Sequence, residues 1–218
     1  SGEIYASKGN LYVATRHWWW WPRPGQKDAT YVHKFDISAP DRAPYVASGT
    51  IEGHIVDQFS MDENSKGFFR IATTITSRVL DPKQPDNWWG TLETTNRIAV
   101  TAEVNGRLLV VGKTEEVAKG ERIMSTRFVE DTAYVVTFRQ VDPLFTFNLK
   151  DPANPVKVGE LKVPGFSSYI HPIDEGHLLT IGTYIPENNT DWRARALQLA
   201  IFDVSDLANP KQTFTQLV

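Results

Sequence analysis

The chain has 218 residues, 41% apolar and 22% charged, with a formal net charge of −3 and no cysteine. That apolar share is enough to bury a sizeable core and excludes wholesale disorder, while the length leaves open one large all-β domain or two small ones. The scattered Lys and Arg form no basic stripe, which argues against nucleic acid and anionic membrane surfaces as main partners. The missing cysteines exclude a disulfide framework and thiolate metal sites but do not fix the compartment. No stretch reaches the roughly 18–20 continuous apolar residues of a membrane-spanning helix. No leader peptide opens the chain, and Ser1-Gly2-Glu3 reads as a cut end.

Taken from the N-terminus, the apolar runs are short, rich in Val, Ile, Tyr, Phe and Thr, and closed by Gly, Pro, Asn or Asp. That pattern predicts strands almost throughout and hardly any helix. Leu11-Tyr12-Val13-Ala14-Thr15 is nearly continuous in apolar residues, as a strand covered on both faces would be. Phe35-Asp36-Ile37-Ser38 then leads into the turn Ala39-Pro40-Asp41-Arg42-Ala43-Pro44. Asp62-Glu63-Asn64-Ser65-Lys66-Gly67 superficially resembles the start of a calcium loop. Lys66 stands where an oxygen donor is needed, however, and Thr73 where the bidentate Glu would fall, so the segment reads as a polar hairpin turn. Residues 97–104 and 107–112 flank Asn105-Gly106, the strongest hairpin signal in the chain. Ala133-Tyr134-Val135-Val136-Thr137 and His177-Leu178-Leu179-Thr180-Ile181 are further doubly covered strands.

Internal repetition organises these strands. Phe35-Asp36-Ile37-Ser38, Phe147-Asn148-Leu149-Lys150 and Phe202-Asp203-Val204-Ser205 each precede a proline-bearing turn, in the last two cases Asp151-Pro152-Ala153-Asn154-Pro155 and Asp206-Leu207-Ala208-Asn209-Pro210. Phe147 and Phe202 stand 55 positions apart, and Phe35 and Phe147 stand 112 apart, leaving room for one hidden unit around the Asn105-Gly106 hairpin. The expectation is an all-β propeller region over residues 1–218, with four four-stranded antiparallel blades at about 3–53, 54–117, 118–165 and 166–218.

A family resemblance rests on three segments: residues 120–128 (GERIMSTRF), 134–145 (YVVTFRQVDPLF) and 159–172 (GELKVPGFSSYIHP). They resemble secreted bacterial and archaeal proteins with a C-terminal β-propeller domain, and the strand-turn repeats are similar to LVIVD-type propeller repeats of cell-surface proteins. The likeness covers roughly residues 4–210 and is strongest over 120–182. It implies a propeller and a secreted or cell-surface location, and no catalytic residues. Members of that family are larger, so further blades outside this sequence are expected partners of the ring.

Numbering the strands of each blade A to D, the B-to-C loops fall at 17–30, 77–95, 140–143 and 186–195, all on one face of a propeller. All seven tryptophans lie in them: Trp18, Trp19, Trp20, Trp21, Trp88, Trp89 and Trp192. Indoles offer rigid stacking surfaces for sugar rings, peptide side chains or cations, and equally serve to seal loops. His54, Asp57, Arg122, Arg127 and His171 fall on A strands or beside them, where they either converge on a polar or anionic ligand or merely line a wet channel. Arg139 and Asp142 read as a local pair within one short turn, and the sequon Asn188-Asn189-Thr190 is assigned no function. There is no nucleophile elbow, P-loop, Rossmann glycine pattern or zincin motif, so no catalytic residue, metal or cofactor is assigned.

Three readings follow. The first is a non-catalytic extracytoplasmic binding module showing its tryptophan face to a glycan, peptide or protein, with the seven tryptophans, Arg122, Arg127 and His171 as ligand-binding residues. The second is a hydrolase or lyase acting on an extracellular polymer, which needs paired carboxyls or an acid-held His in one pocket. The third is a structural part of a larger surface protein, which an exposed apolar end face would favour.

Overall fold

The computed structural model describes residues 2–17, 23–83, 86–138, 142–185 and 195–218. In these the regular structure is almost entirely β. The strands are β1 (Gly2–Ala6), β2 (Asn10–His17), β3 (Ala29–Asp36), β4 (Tyr45–Glu52), β5 (Met61–Glu63), β6 (Phe69–Val79), β7 (Thr91–Val104) and β8 (Arg107–Lys113), then β9 (Arg122–Val129), β10 (Thr132–Phe138), β11 (Asp142–Asn148), β12 (Val156–Val163), β13 (Phe166–Pro172), β14 (His177–Tyr184), β15 (Ala196–Asp203) and β16 (Lys211–Leu217). A 3-10 turn, Gln58–Ser60, precedes β5, capped by Asp57, whose carboxylate accepts from the Phe59 amide at 2.9 Å. No helix among the described residues is long and apolar enough to cross a membrane.

Sequential strands pair antiparallel in four meanders, β1 to β4, β5 to β8, β9 to β12 and β13 to β16. The hydrogen bonding, however, partitions them into one eight-stranded sheet and two four-stranded ones, where four separate sheets are predicted from the repeats. The difference arises at one contact. Outer strands β4 and β8 meet through a single parallel bridge, Ser48 to Arg107, with the Ser48 amide donating to the Gly106 carbonyl at 3.3 Å. Gly49 has no Cβ, so the Leu108 backbone can lie directly against it.

Three hydrophobic clusters stand between successive meanders. Tyr12, Val32, Ile51, Phe69 and Ile71 fill the first; Ile98, Ile123, Val135 and Phe147 the second; Tyr134, Ile170, Leu178 and Phe202 the third. Adjacent residues of one strand serve different clusters: Val135 faces the second, and Tyr134 and Val136 the third. Side chains alternate across a strand, so a strand sandwiched between sheets must be apolar on both faces, which explains its continuous apolar run.

The repeats are local hydrogen-bond devices. Asp36, Asn148 and Asp203 each accept the amide two residues on, from Ser38 (2.8 Å), Lys150 (2.9 Å) and Ser205 (3.0 Å). Asp151 and Asp206 each hold an alanine amide at 2.9 and 3.0 Å and an asparagine side chain at 2.8 Å. These bonds favour the ionised carboxylates and hold both below the usual range. At the hairpin between β7 and β8, Asn105 and Gly106 have φ of 50° and 74°, the left-handed geometry that the Asn-Gly pair predicts.

One further repeat is visible only in the register. Every meander carries a bulge in its fourth strand, the extra residue being Val46, Val111, Val158 and Thr213, and the residue directly after it is Ala47, Gly112, Gly159 and Phe214 in turn. The first three are buried. Gly112 lies under the Pro152-Ala153 turn and Gly159 under the Leu207-Ala208 turn, each turn belonging to the following meander. A small residue makes a notch, and the neighbour's turn sits in it. Phe214 instead presents a ring that is 50% exposed.

Candidate functional site

The nominated residues separate into two groups at opposite ends of the strands. At the end that carries the connections from second to third strands, Trp88 and Trp89 lie in the loop between β6 and β7. They are 66% and 39% exposed, with ring centroids 4.3 Å apart. Arg78 braces them: its guanidinium stands 5.7 Å over the Trp89 ring and donates to the Trp89 and Gly90 carbonyls at 3.1 and 3.3 Å. The stem of the neighbouring loop is tied to the same strand. The Gly25 amide donates to the Arg78 carbonyl at 2.9 Å, Lys27 bridges to Ser77, and the Asp28 amide donates to the Thr76 carbonyl at 3.2 Å. Trp18, Trp19, Trp20, Trp21, Trp192, Arg139 and the 188–190 sequon lie outside the described residues.

That stem is anchored by a polar cluster built from residues distant in sequence. Asp28 Oδ2 accepts from His54 Nδ1 at 2.6 Å and from Arg16 at 2.8 Å, while Oδ1 accepts the Thr76 amide at 2.8 Å. Burial alone would raise the Asp28 pKa, but the hydrogen bonds from His54 and Thr76, aided by the charges of His54 and Arg16, outweigh it and hold it below its ordinary value. Beside it, Glu52 joins Arg97 and Lys27. His54 was nominated from sequence for the channel; Asp28, Arg16, Glu52 and Arg97 were not, because no spacing rule connects residues 26 or 45 positions apart. An acid-held histidine therefore exists, but neither member lines the clefts described below.

Arg127 and His171 occupy the other end. Arg127, on β9, donates from Nε to the Ile170 carbonyl at 3.0 Å and from Nη2 to the Tyr169 hydroxyl at 3.2 Å, linking β9 to β13. Its guanidinium stands 4.5 Å from the Phe59 ring centroid and 5.6 Å from that of Tyr169. Tyr169 in turn lies alongside His171, its hydroxyl 3.4 Å from Nδ1. Arg122 is exposed and five positions up the strand, about 16 Å away along an extended chain, so it does not join this cluster. Asp57 is taken up in capping the 3-10 turn, and burial raises its pKa.

Two clefts matter. The larger, about 770 Å³, lies between the 115–121 connection and strands β11 and β12 and is lined by Glu115, Glu116, Glu121 and Glu160 with Lys157 and Lys162. Three of its glutamates hold partners: Glu116 with Arg97 at 3.8 Å, Glu121 with the Thr137 hydroxyl at 2.6 Å, and Glu160 with Lys157 at 3.2 Å. The smaller, about 290 Å³, runs between β1, the 3-10 turn and β9, and Arg127 and Phe59 line it. Among the described residues no group of His, Asp or Glu is arranged to hold a metal ion.

The family described as Beta propeller domain matches residues 1–218. An uncharacterized protein of Methanocaldococcus jannaschii is 40% identical over 167 residues, covering 77% of this chain and 23% of its own length. Another, from Archaeoglobus fulgidus, is 36% identical over 185 residues, covering 85% of this chain and 25% of its own. The chain thus spans about a quarter of the length of these curated relatives. A solved GH43 β-1,3-galactosidase with galactodeoxynojirimycin aligns over 97% of this chain and 92% of its own at 12% identity, with a TM-score of 0.33, too low to bear on fold or activity.

Proposed function

We propose a function from one premise: the chain belongs to the beta-propeller domain family. Its four meanders are four blades of a single region, and it works as a non-catalytic binding module outside the cytoplasm, presenting its tryptophan-bearing loops to a glycan, peptide or protein. The observation that carries this reading is the exposed Trp88-Trp89 pair, held from beneath by Arg78. An apolar pair of this size left in water on a braced loop costs free energy unless a partner covers it, and neighbouring indoles with a nearby cation suit sugar rings and aromatic side chains. The bonds from Gly25, Lys27 and Asp28 to β6 support it further, since they tie residues 25–28 to the strand that carries Arg78.

Tryptophan fluorescence tests the reading, with titration of the chain against cell-wall polysaccharides, peptidoglycan fragments and envelope proteins. Saturable change that is lost in Trp88→Ala and Trp89→Ala supports it; ligand responses that persist unchanged in both variants overturn it. Location is tested by fractionating cells that produce the full-length protein.

A structural role within a larger surface protein is the second reading, and one observation favours it. Leu197 and Phe214, on one face of the last two strands, are 49% and 50% exposed. A neighbour covering this face must accommodate the Phe214 ring, because the small-residue notch of the other meanders is missing there. Crosslinking from position 214 in the full-length protein identifies the neighbour, and crosslinks to solvent-exposed sites of unrelated proteins only would remove this reading.

A further inference from the structure

The geometry points to a second site, at the opposite end of the strands from the tryptophan loops: a pocket that binds a carboxylate through Arg127. The pocket is the cleft of about 290 Å³ lined by Tyr5, Gln58, Phe59, Met61, Arg127 and Phe128, among others. Its volume suits one acidic sugar or one amino-acid-sized group.

Arg127 differs from the two buried arginines, Arg70 and Arg97. Arg70 is 2% exposed and holds the Asp62 carboxylate, and Arg97 holds Glu52; each buried cation has its anion. Arg127 is half-buried and faces a cleft, and among the described residues no carboxylate lies within ion-pairing distance of it. Two of its five N–H groups go to neutral oxygens, the Ile170 carbonyl and the Tyr169 hydroxyl, which fix the group without neutralising it. Phe59 and Tyr169, edge to face with one another at 69° and 5.6 Å, both lie against it on one side, at 4.5 and 5.6 Å. A guanidinium already immobilised and stacked loses little further freedom on binding, and its remaining parallel N–H groups match a planar, two-oxygen acceptor.

The surroundings supply the rest. The exposed Gln58 lines the same cleft, and its side-chain amide supplies a neutral donor. Asp62 also borders the cleft, but Arg70 holds it through Nε at 2.8 Å and through Nη2, so it does not set an unbalanced negative charge against the ligand. Met61 and Phe128 make an apolar floor that lowers the local dielectric and strengthens the charged pair.

The carboxylate could come from a uronic acid or from a peptide C-terminus, and the experiment separates them. Glucuronate, N-acetylalanine, sulfate and phosphate are titrated into the chain while the side-chain Nε–H resonances of its arginines are followed by NMR. One carboxylate probe is expected to shift the Arg127 signal saturably, with the sugar or the peptide terminus preferred at least tenfold. Arg127→Lys keeps the charge but loses the fork, and is expected to weaken that binding at least tenfold while the far-UV spectrum is unchanged. Trp88→Ala is expected to leave it intact, so failure of the tryptophan face and failure of this pocket are told apart. Tighter binding of phosphate or sulfate than of either carboxylate, an Arg127 signal that no probe moves, or full binding by Arg127→Lys would each overturn the proposal. Should Arg127→Lys fold poorly, the wild-type resonance decides alone.

Discussion

Adding one methyl group at Gly112 probes the notch between meanders directly. A Cβ built there falls well inside contact distance of the Pro152 carbonyl oxygen and 2.8 Å from the carbonyl carbon and oxygen of Ala153. The obstacle is backbone, and the turn yields poorly: proline fixes one φ, and Asp151 holds the Ala153 amide and the Asn154 side chain. Overpacking costs about 1–3 kcal/mol, and an overlap with backbone this deep belongs to its upper part, about 2–3 kcal/mol; the about 0.5–1 kcal/mol gained when alanine replaces glycine in extended chain leaves a net loss of about 1–2.5 kcal/mol. For a chain of 218 residues that corresponds to a melting temperature lower by about 2–10 °C. Urea unfolding followed by far-UV circular dichroism should show a lower midpoint for Gly112→Ala with an unchanged slope. Gly9, whose Cβ position is empty to 4 Å, supplies the control, and Gly9→Ala should be neutral or slightly stabilising. If Gly112→Ala and Gly9→Ala unfold within about 0.3 kcal/mol of one another, the notch does not position the neighbouring turn and the reasoning fails.

The remaining predictions concern the polar frame. Asp28 has a depressed pKa in the folded chain, so its contribution is present above the unfolded value near 4 and is lost as pH falls through the folded value. Asp28→Asn is therefore expected to cost about 2 kcal/mol at neutral pH and to flatten the acid limb of a stability-against-pH curve; an acid limb as steep as wild type would refute the assignment. Glu63 is 7% exposed at its side chain and accepts from Tyr12 at 2.8 Å, from Asn10 at 2.9 Å and from Ser7, so Glu63→Ala leaves buried donors unpaired and should cost about 3 kcal/mol in a denaturant titration. Burial foremost, and then the Glu63 carboxylate, push the Tyr12 hydroxyl far above its ordinary value. In an alkaline absorbance titration Tyr12 should stay un-ionised until the chain unfolds, and Tyr12→Phe should leave the amplitude of the native titration unchanged.

What the sequence determined by itself is whatever lies within a few residues along the chain. The strands follow from short apolar runs, the Asp151 and Asp206 turns from an Asp-x-x-Asn spacing that closes on itself, and the β7 to β8 hairpin from the Asn105-Gly106 pair that tolerates positive φ. The position of Trp88 and Trp89 in the connection between β6 and β7, and that of Arg127 on a first strand, were legible for the same reason. Tertiary structure alone decided which distant groups meet. His54 reaches Asp28, Ser7, Asn10 and Tyr12 converge on Glu63, and Phe59 stacks on Arg127, through contacts between strands whose separation in sequence carries no code. The separation of Arg122 from the Arg127 and His171 cluster was equally hidden, since strand membership alone does not give depth along the strand. The column Ala47, Gly112, Gly159, Phe214 shows the division most plainly. All four letters are in the sequence, but the bulge beside each one shifts the register by a residue, and only the folded sheets reveal that Gly112 and Gly159 are notches filled by a neighbour's turn, that Ala47 is buried in the first cluster, and that Phe214 is a ring facing water.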